Sequence, residues 1–500
     1  MYGWLHDYVL MHKCNLLQVF FSERHRVFYM RCIQESFFIL EVRMRKNFPL
    51  LFVSGCLGAL LCLPTAHAAE QSGAIPLKES IESMLRNNNS LKAIQENRAA
   101  AGYEVDRAKA GYGPRVDLTA RGGFGKLSDS TTRSYGYNEA APYSSASLLV
   151  TQPLWDGWLT RGRVREAEAT YRSLDHRVLD NANSLALDAI IAHVDVLRRQ
   201  QIYQLAQANV ARHEEILEKA RAREAQGVDT LADVSQAQSR LSRARSTLTE
   251  ARASLRVGED TYTRLTRHSA MSLGPVNLPD KMFAGPDEVL KAAQKGNPKV
   301  AAYLEDVKAA TAAREQVHSA YSPSLSIEAG PSYSDRDGKS ELWTAEVGVA
   351  AVVRWNLFNS GADVAESKAA AARIRQSRRV LYDYMDDLKL NVEESWTEYL
   401  SAKNQLEFYR EAIEYNKTTR NAYEEQFIMG ERSLLDVLDA ENELFNSSTQ
   451  AATALGNTLI AAYRMKALAG DLLPTFNISP ERLKVTPNDH EPLDHLTMPE

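Results

Sequence analysis

Gly430 to Ala440 reads G-E-R-S-L-L-D-V-L-D-A, and it is the stretch in which residue types and spacing could do work. Asp436 and Asp439 are three apart in a helical run, so they share one face, and Arg432 stands just ahead of them. Such a set offers the chemistry of charge. Two carboxylates can attract cations, hold an arginine, or simply face solvent. Groups suited to bond making are not assembled anywhere. His193, His213, His268 and His318 are scattered along helical stretches without HExxH or paired-ligand spacing, which reads as surface or seam positions and gives no metal site. Gly122-Gly123-Phe124-Gly125 ends a strand-like run and is followed by neither a helix nor Lys-Ser/Thr, so it is not a nucleotide loop. The sequence predicts no enzyme, no cofactor and no metal.

The elements that must position this segment come in two copies. Gly227 to Ala237, G-V-D-T-L-A-D-V-S-Q-A, precedes the first segment by 203 positions. In each copy a glycine follows a long run without proline and precedes a shorter run with a seven-residue apolar repeat. Gly227 and Gly430 are therefore predicted to close one helix in the left-handed conformation and start the next. The runs Leu159 to Gln226 and Ala362 to Met429 each hold 68 residues. As single helices they would extend about 100 Å at about 1.5 Å per residue, more than a compact core requires. Their apolar stripe is narrow, as in a coiled coil: Tyr171, Leu174, Val178, Leu185, Ala189, Ala192 and Val196. The returning runs place Val234, Leu241, Leu248 and Leu255, then Val437, Leu444 and Ala451, at seven-residue steps. Ala237, Ala244 and Ala251 sit three places behind the first three, which implies closely spaced helices.

Ahead of each long run the period changes to two. Val116, Leu118 and Ala120 alternate with polar residues, as do Ser144 to Trp155, Leu325 to Ala329, and Trp343 to Trp355. Each pair of strands follows a predicted helix, Leu77 to Gly113 or Asp287 to Tyr321. The unit is thus helix, strand, strand, long helix, turn, helix, used twice. It divides the chain into residues 69–268, a connector 269–286, residues 287–470 and a tail 471–500. Repeats of this size are gene-scale duplications. Taken alone, any one strand could be the edge of a soluble sandwich. Together, four strands with an apolar and a polar face are long enough to cross a bilayer, where about 9 to 11 tilted residues suffice. Four cannot close a barrel and an open edge is not tolerated in lipid, so the barrel must be shared between chains. Trp155, Trp158, Trp343 and Trp355 lie in or beside these strands, as an interfacial aromatic girdle would.

Export fits the N-terminus. Met44 to Ala68 has a basic start, an apolar middle and Ala66-His67-Ala68 as a cleavage site, the pattern of a secretory signal peptide. Met1 then reads as an over-extended start and Met44 as the true one. Val53-Ser54-Gly55-Cys56 offers a rival reading as a lipoprotein site, against which the apolar Leu57 to Leu63 counts. All four cysteines precede residue 69, so the mature chain would need neither disulfides nor metal-thiolate sites. Residues 1–68 hold seven Lys/Arg and four Asp/Glu, leaving 52 against 60 and a net charge of −8. That argues against a nucleic-acid partner. No apolar stretch in the mature chain is long enough for a spanning helix.

Over residues 75 to 470 the chain resembles the TolC-type outer-membrane channel-tunnel family. The resemblance rests on the duplicated architecture, Q-P-L-W-D-G at Gln152 to Gly157, and above all Gly430 to Ala440. It implies a homotrimer with a twelve-stranded β-barrel in the outer membrane, in contact with lipid, continued into the periplasm by an α-helical coiled-coil tunnel. Such a tunnel is a passive conduit, joined by a periplasmic adaptor to an inner-membrane transporter. Asp436 and Asp439 match the family's aperture aspartates, which three chains would gather into a ring of six carboxylates favouring cations. Asp436 could instead serve as a simple salt-bridge partner. Arg432 matches the arginine that latches the tip to the neighbouring hairpin, and Asp233 the acidic member of that latch, with an exposed ion pair as the alternative. The usual tyrosine and threonine partners are replaced by Phe427 and Ala232. Gly227, Val228, Gly430 and Glu431 would form the tips that an adaptor meets, or would merely turn the chain. The tip, through Asp439-Ala440-Glu441-Asn442-Glu443-Leu444-Phe445, looks most like the type I secretion branch, with an ABC exporter as inner-membrane partner. A multidrug or metal efflux channel is the second reading and a periplasmic coiled-coil scaffold the third.

Overall fold

The structure, a computed structural model, describes residues 17–22, 27–32, 74–126, 133–134, 140–336 and 343–483. The expected signal peptide, Cys56 and the end of the tail lie outside the described residues. The chain divides into two units, residues 1–70 and 71–500. In the first, β1 (Leu17–Ser22) and β2 (Val27–Cys32) pair antiparallel, Leu17 opposite Cys32.

The second unit holds both copies of the repeat. The first runs α1 (Leu77–Asn87), α2 (Asn89–Lys109), β3 (Arg115–Gly125), β4 (Ala141–Trp155), α3 (Leu159–Ala225) and α4 (Leu231–Thr266). The second runs α5 (Pro286–Gly296), α6 (Pro298–His318), β5 (Ser324–Arg336), β6 (Thr344–Arg354), α7 (Ala362–Met429) and α8 (Leu434–Leu468). Two short helices follow, α9 (Leu472–Thr475) and α10 (Pro480–Leu483).

The expectation of one helix before each strand pair is corrected at the same place in both copies. Leu77 to Gly113 breaks at Asn88, and Asp287 to Tyr321 breaks at Asn297. Each asparagine is extended, and its side chain caps the next helix: Asn88 Oδ1 accepts from the amides of Ser90 and Leu91, Asn297 Oδ1 from those of Lys299 and Val300. Capping offers these amides the partners that a helix start lacks, so the break costs little. The bend folds α1 back onto the long helices. Ile81, Met84, Leu91, Val178, Ile190 and Leu472 meet there in a core with Phe476 and Ile478, so the described part of the tail is packed in place.

The four long strands form one antiparallel sheet in the order β3-β4-β5-β6. Register carries the apolar alternation across all of it. Leu118 faces Leu148, Val116 faces Val150, Val150 faces Ala329, and Ala329 faces Val349. Residues opposite one another share a face, so these rows make one continuous apolar surface. It is bare: Leu118 is 74% exposed, Val347 82% and Val349 76%. The other face carries Asp117, Thr119, Ser147, Glu328 and Arg354, the last two 2.7 Å apart in an ion pair. Among the described residues, β3 and β6 each leave one edge unpaired. No helix among the described residues is long and apolar enough to cross a membrane.

Candidate functional site

The two hairpin tips are built alike. Gly227 and Gly430 have φ of +74° and +80°, and an added Cβ would meet nothing at either. The left-handed backbone rather than lack of space requires glycine there. Val228 N donates to Arg223 O and Glu431 N to Gln426 O, closing both helices with the same six-residue hydrogen-bonded turn. The returning helices also start alike. Thr230 and Ser433 are the caps, and Asp233 and Asp436 answer them from the third helical position. The bonds from the Thr230 hydroxyl and amide hold the Asp233 carboxyl below its ordinary range. Val228, Gly227, Gly430 and Glu431 are all exposed.

Beneath the turns a small core joins the hairpins: Ile216, Leu217 and Ala220 from α3, Leu241 from α4, Phe427 from α7, and Val437 and Leu438 from α8. Phe427 is thus a core residue. Arg223 lies over its ring, 4.5 Å from the centroid, donates to Ile428 O at 3.3 Å and pairs with Asp229 at 3.0 Å.

Arg432 and Asp233 do not meet within the chain. Arg432 donates to Gln426 Oε1 at 3.1 Å, lies over the Tyr423 ring at 4.1 Å and is 3.8 Å from Asp436. Asp233 is occupied by Thr230. Asp436 and Asp439 do come together, lining with Glu443, Tyr423, Asn416 and Thr419 an open cleft of about 220 Å³ between α7 and α8. Asp436 bonds to Ser433 at 2.8 Å, whereas Asp439 pairs at 2.8 Å with Arg240 of α4.

Further from the turns, a network crosses between the hairpins. Arg212 of α3 pairs with Glu424 of α7 and lies 3.7 Å from Glu441 of α8. Arg420 approaches Glu441 at 3.4 Å, and Lys219 bridges Glu424 and Glu215 at 2.6 and 2.7 Å. Burial pushes the Glu441 carboxyl up despite its two arginines. Burial opposes ionisation of Glu424 too, but Lys219 and Arg212 hold it below the usual range. Beside them His213 is buried, with Nδ1 unpartnered, and burial and then Arg240 push it below the ordinary histidine value. His193 is buried near the other end of the hairpins. Its Nε2 donates to Gly274 O at 2.9 Å, so its Nδ1 accepts from Ser80, which accepts in turn from Tyr262. His268 and His318 complete the scatter, and no metal-binding cluster occurs among the described residues.

Sequence reasoning missed Arg240, Arg223, Tyr423 and the Arg212 network. Spacing along one helix does not reveal which faces of separate helices approach. The tryptophans fall at two levels. Trp155, Trp158 and Trp355 are at the strand ends nearest the helices, Trp155 and Trp158 with ring centroids 4.8 Å apart, and Trp343 precedes β6 at the far end.

A one-faced apolar sheet standing on helical hairpins of this length, with charge rather than a reaction centre at their tips, is the architecture of an outer-membrane channel subunit. The chain belongs to the outer membrane efflux protein family, whose signature covers residues 80–265 and 289–471, one segment in each copy of the repeat. That is the family to which the sequence resemblance pointed, and it makes the chain an outer-membrane transport protein rather than an enzyme. The chain is similar to the outer membrane efflux protein BepC of Brucella suis biovar 1 (23% identical over 406 residues, 80% of this chain and 87% of the relative). It is also similar to the alkaline protease secretion protein AprF of Pseudomonas aeruginosa (24% over 422 residues, 81% and 86%). A crystal structure of CusC shares its fold with a TM-score of 0.70, at 16% identity and covering 79% of this chain and 92% of that one.

Proposed function

We propose that three copies of the chain pool their strands into a twelve-stranded barrel in the outer membrane, continued by a periplasmic helical tunnel. The observation that carries this is the continuous bare apolar face of the four-stranded sheet with its two unpaired edges. Lipid would cover the face, and β6 of one copy pairing with β3 of the next would remove the edges. Trp155, Trp158, Trp355 and Trp343 then mark the two interfaces. The conduit is passive and serves type I protein secretion, with an adaptor docking on Gly227, Val228, Gly430 and Glu431 and linking it to an inner-membrane ABC exporter. AprF, named for protease secretion, supports that route. BepC, named as an efflux protein, favours the second reading, an outer channel for a multidrug or metal efflux pump. Asp436 and Asp439 line the inner aperture, and Arg432 and Asp233 latch it to neighbouring hairpins. Heat-modifiable trimers in outer-membrane fractions are the expected result, and a soluble periplasmic monomer would sink the proposal. Deleting the gene should abolish export of a large ABC-exported protein; loss of drug or metal resistance with secretion intact would select the efflux route.

A further inference from the structure

Next to the strands, four helices pack side by side in the order α2, α3, α6, α7. The duplication makes α2 the counterpart of α6, 209 positions before it, and α3 the counterpart of α7, 203 positions before it. The joint in the middle of the row, α3 against α6, therefore has no twin within the chain. Its twin would set α7 of one copy against α2 of the next. Charge holds the middle joint together. Arg165 pairs with Glu315 at 2.9 Å, Arg172 with Glu305 at 2.8 Å and Arg177 with Asp306 at 2.6 Å, each guanidinium from α3 and each carboxylate from α6.

The counterparts of these residues lie on the two outer helices. Lys368 stands for Arg165 and Asp106 for Glu315, while Arg375 stands for Arg172 and Glu96 for Glu305, so both pairs keep opposite signs. At the third place Val380 stands for Arg177 and Asn97 for Asp306, and the two charges are lost together. The contact of Gln316 with Glu166 does not carry over: Arg107 would meet Ala369, and it bonds instead to Glu104 of its own helix. Gly162, Ala169 and Ser173 are buried in the middle joint, whereas their counterparts Ala365, Ala372 and Gln376 are exposed. Lys368, Arg375, Glu96 and Asp106 are exposed too, and none of them makes an ion pair among the described residues.

Within the reading of the chain as one subunit of a closed ring, on which this rests, we propose that Lys368 and Arg375 of one copy pair with Asp106 and Glu96 of the next, and that this joint fixes the order and register of assembly. Two α7 edges would set cation against cation, and two α2 edges carboxylate against carboxylate, so a two-fold pair is disfavoured. The α7 edge against the α2 edge is a head-to-tail contact, which repeats until the ring closes. A slip of one helical turn, about 5.4 Å, would part both ion pairs at once.

The test uses the mature full-length protein, which has no cysteine after residue 68. Arg375→Cys with Glu96→Cys, purified in detergent and treated with a short thiol-reactive cross-linker, should give a ladder of linked dimers and trimers on a denaturing gel. Arg172→Cys with Glu305→Cys, linked across the middle joint of a single chain, should run as a monomer. Arg375→Glu should lower the temperature at which the oligomer dissociates, and adding Glu96→Arg should restore most of the loss, which a role for Arg375 in the fold alone would not permit. Three-chain particles by native mass with no ladder, or equal dissociation temperatures for Arg375→Glu and unaltered protein, overturn the joint and leave the ring standing. Unaltered protein that is monomeric by native mass overturns the ring and the joint with it.

Discussion

Arg212 gives the sharpest energetic prediction, because one guanidinium serves two acidic residues on two other helices. Its side chain is 17% exposed, that of Glu441 9% and that of Glu424 19%. Replacing Arg212 by Met keeps the aliphatic stem and removes the charge. Glu441 is then left with Arg420 at 3.4 Å and Glu424 with Lys219 at 2.6 Å. Because those partners remain, the expected cost is about 2 to 3 kcal/mol, below the roughly 3 to 5 that follows when a buried charge loses its only partner. At about 1.4 kcal/mol per tenfold, hairpin opening should become roughly 30- to 150-fold more populated. Hydrogen exchange over residues 205–225 and 415–445 of the purified protein would read this directly. Most of the loss is the penalty of a stranded carboxylate, so Glu441→Gln in the Arg212→Met background should recover more than half of the protection. Acidification should help the single variant in the same way. The Glu441 carboxyl is raised by burial, so the penalty is full above that raised value and is relieved as pH falls through it. Equal exchange in the Arg212→Met and unaltered proteins, or no recovery in the double variant, would refute the reasoning.

Asp436→Ala with Asp439→Ala should weaken cation selectivity in planar bilayers, read as a reversal potential closer to zero. Asn88→Ala removes a cap alone and should cost about 1 kcal/mol. Asn297→Ala removes a cap and also the bonds from Nδ2 to Leu468 O at 3.0 Å and from the Tyr384 hydroxyl to Oδ1 at 3.3 Å; a total of about 2 to 3 kcal/mol is expected, and melting temperatures of the purified protein would rank the two. Both His193 and His213 titrate below the ordinary value because burial disfavours their charged form. The stability they support is whole above about pH 6.5 and is lost as pH falls through their lowered values. A melting series from pH 7.5 to 5.5 should show the decline, and His213→Leu, which discards an unpartnered Nδ1, should flatten it.

What was legible depended on periodicity. The two 68-residue stretches resolve into helices of 67 and 68 residues because nothing in them interrupts the helix, and Gly227 and Gly430 mark where they end. The strands were legible because alternation survives along each and register carries it across the sheet. The breaks at Asn88 and Asn297 were harder to see, since an asparagine within an apolar-periodic run also suits a helix surface. Asn297-Pro298 was the better clue, a cap followed by proline at the first helical position. Asp436 could be placed on its face from spacing alone. Its difference from Asp439 could not, because that depends on Arg240, nearly 200 residues away in sequence.

The two tips share a backbone and differ in the side chains that knit them. At the first, a guanidinium and a carboxylate, Arg223 and Asp229, close the turn; at the second, the corresponding places hold Gln426 and Arg432, an amide and a guanidinium. Arranged by threes about an axis, six turns of one shape would alternate in electrical character. A partner ring of six identical subunits would then find every other seat different, so that its own members could not all engage with equal strength.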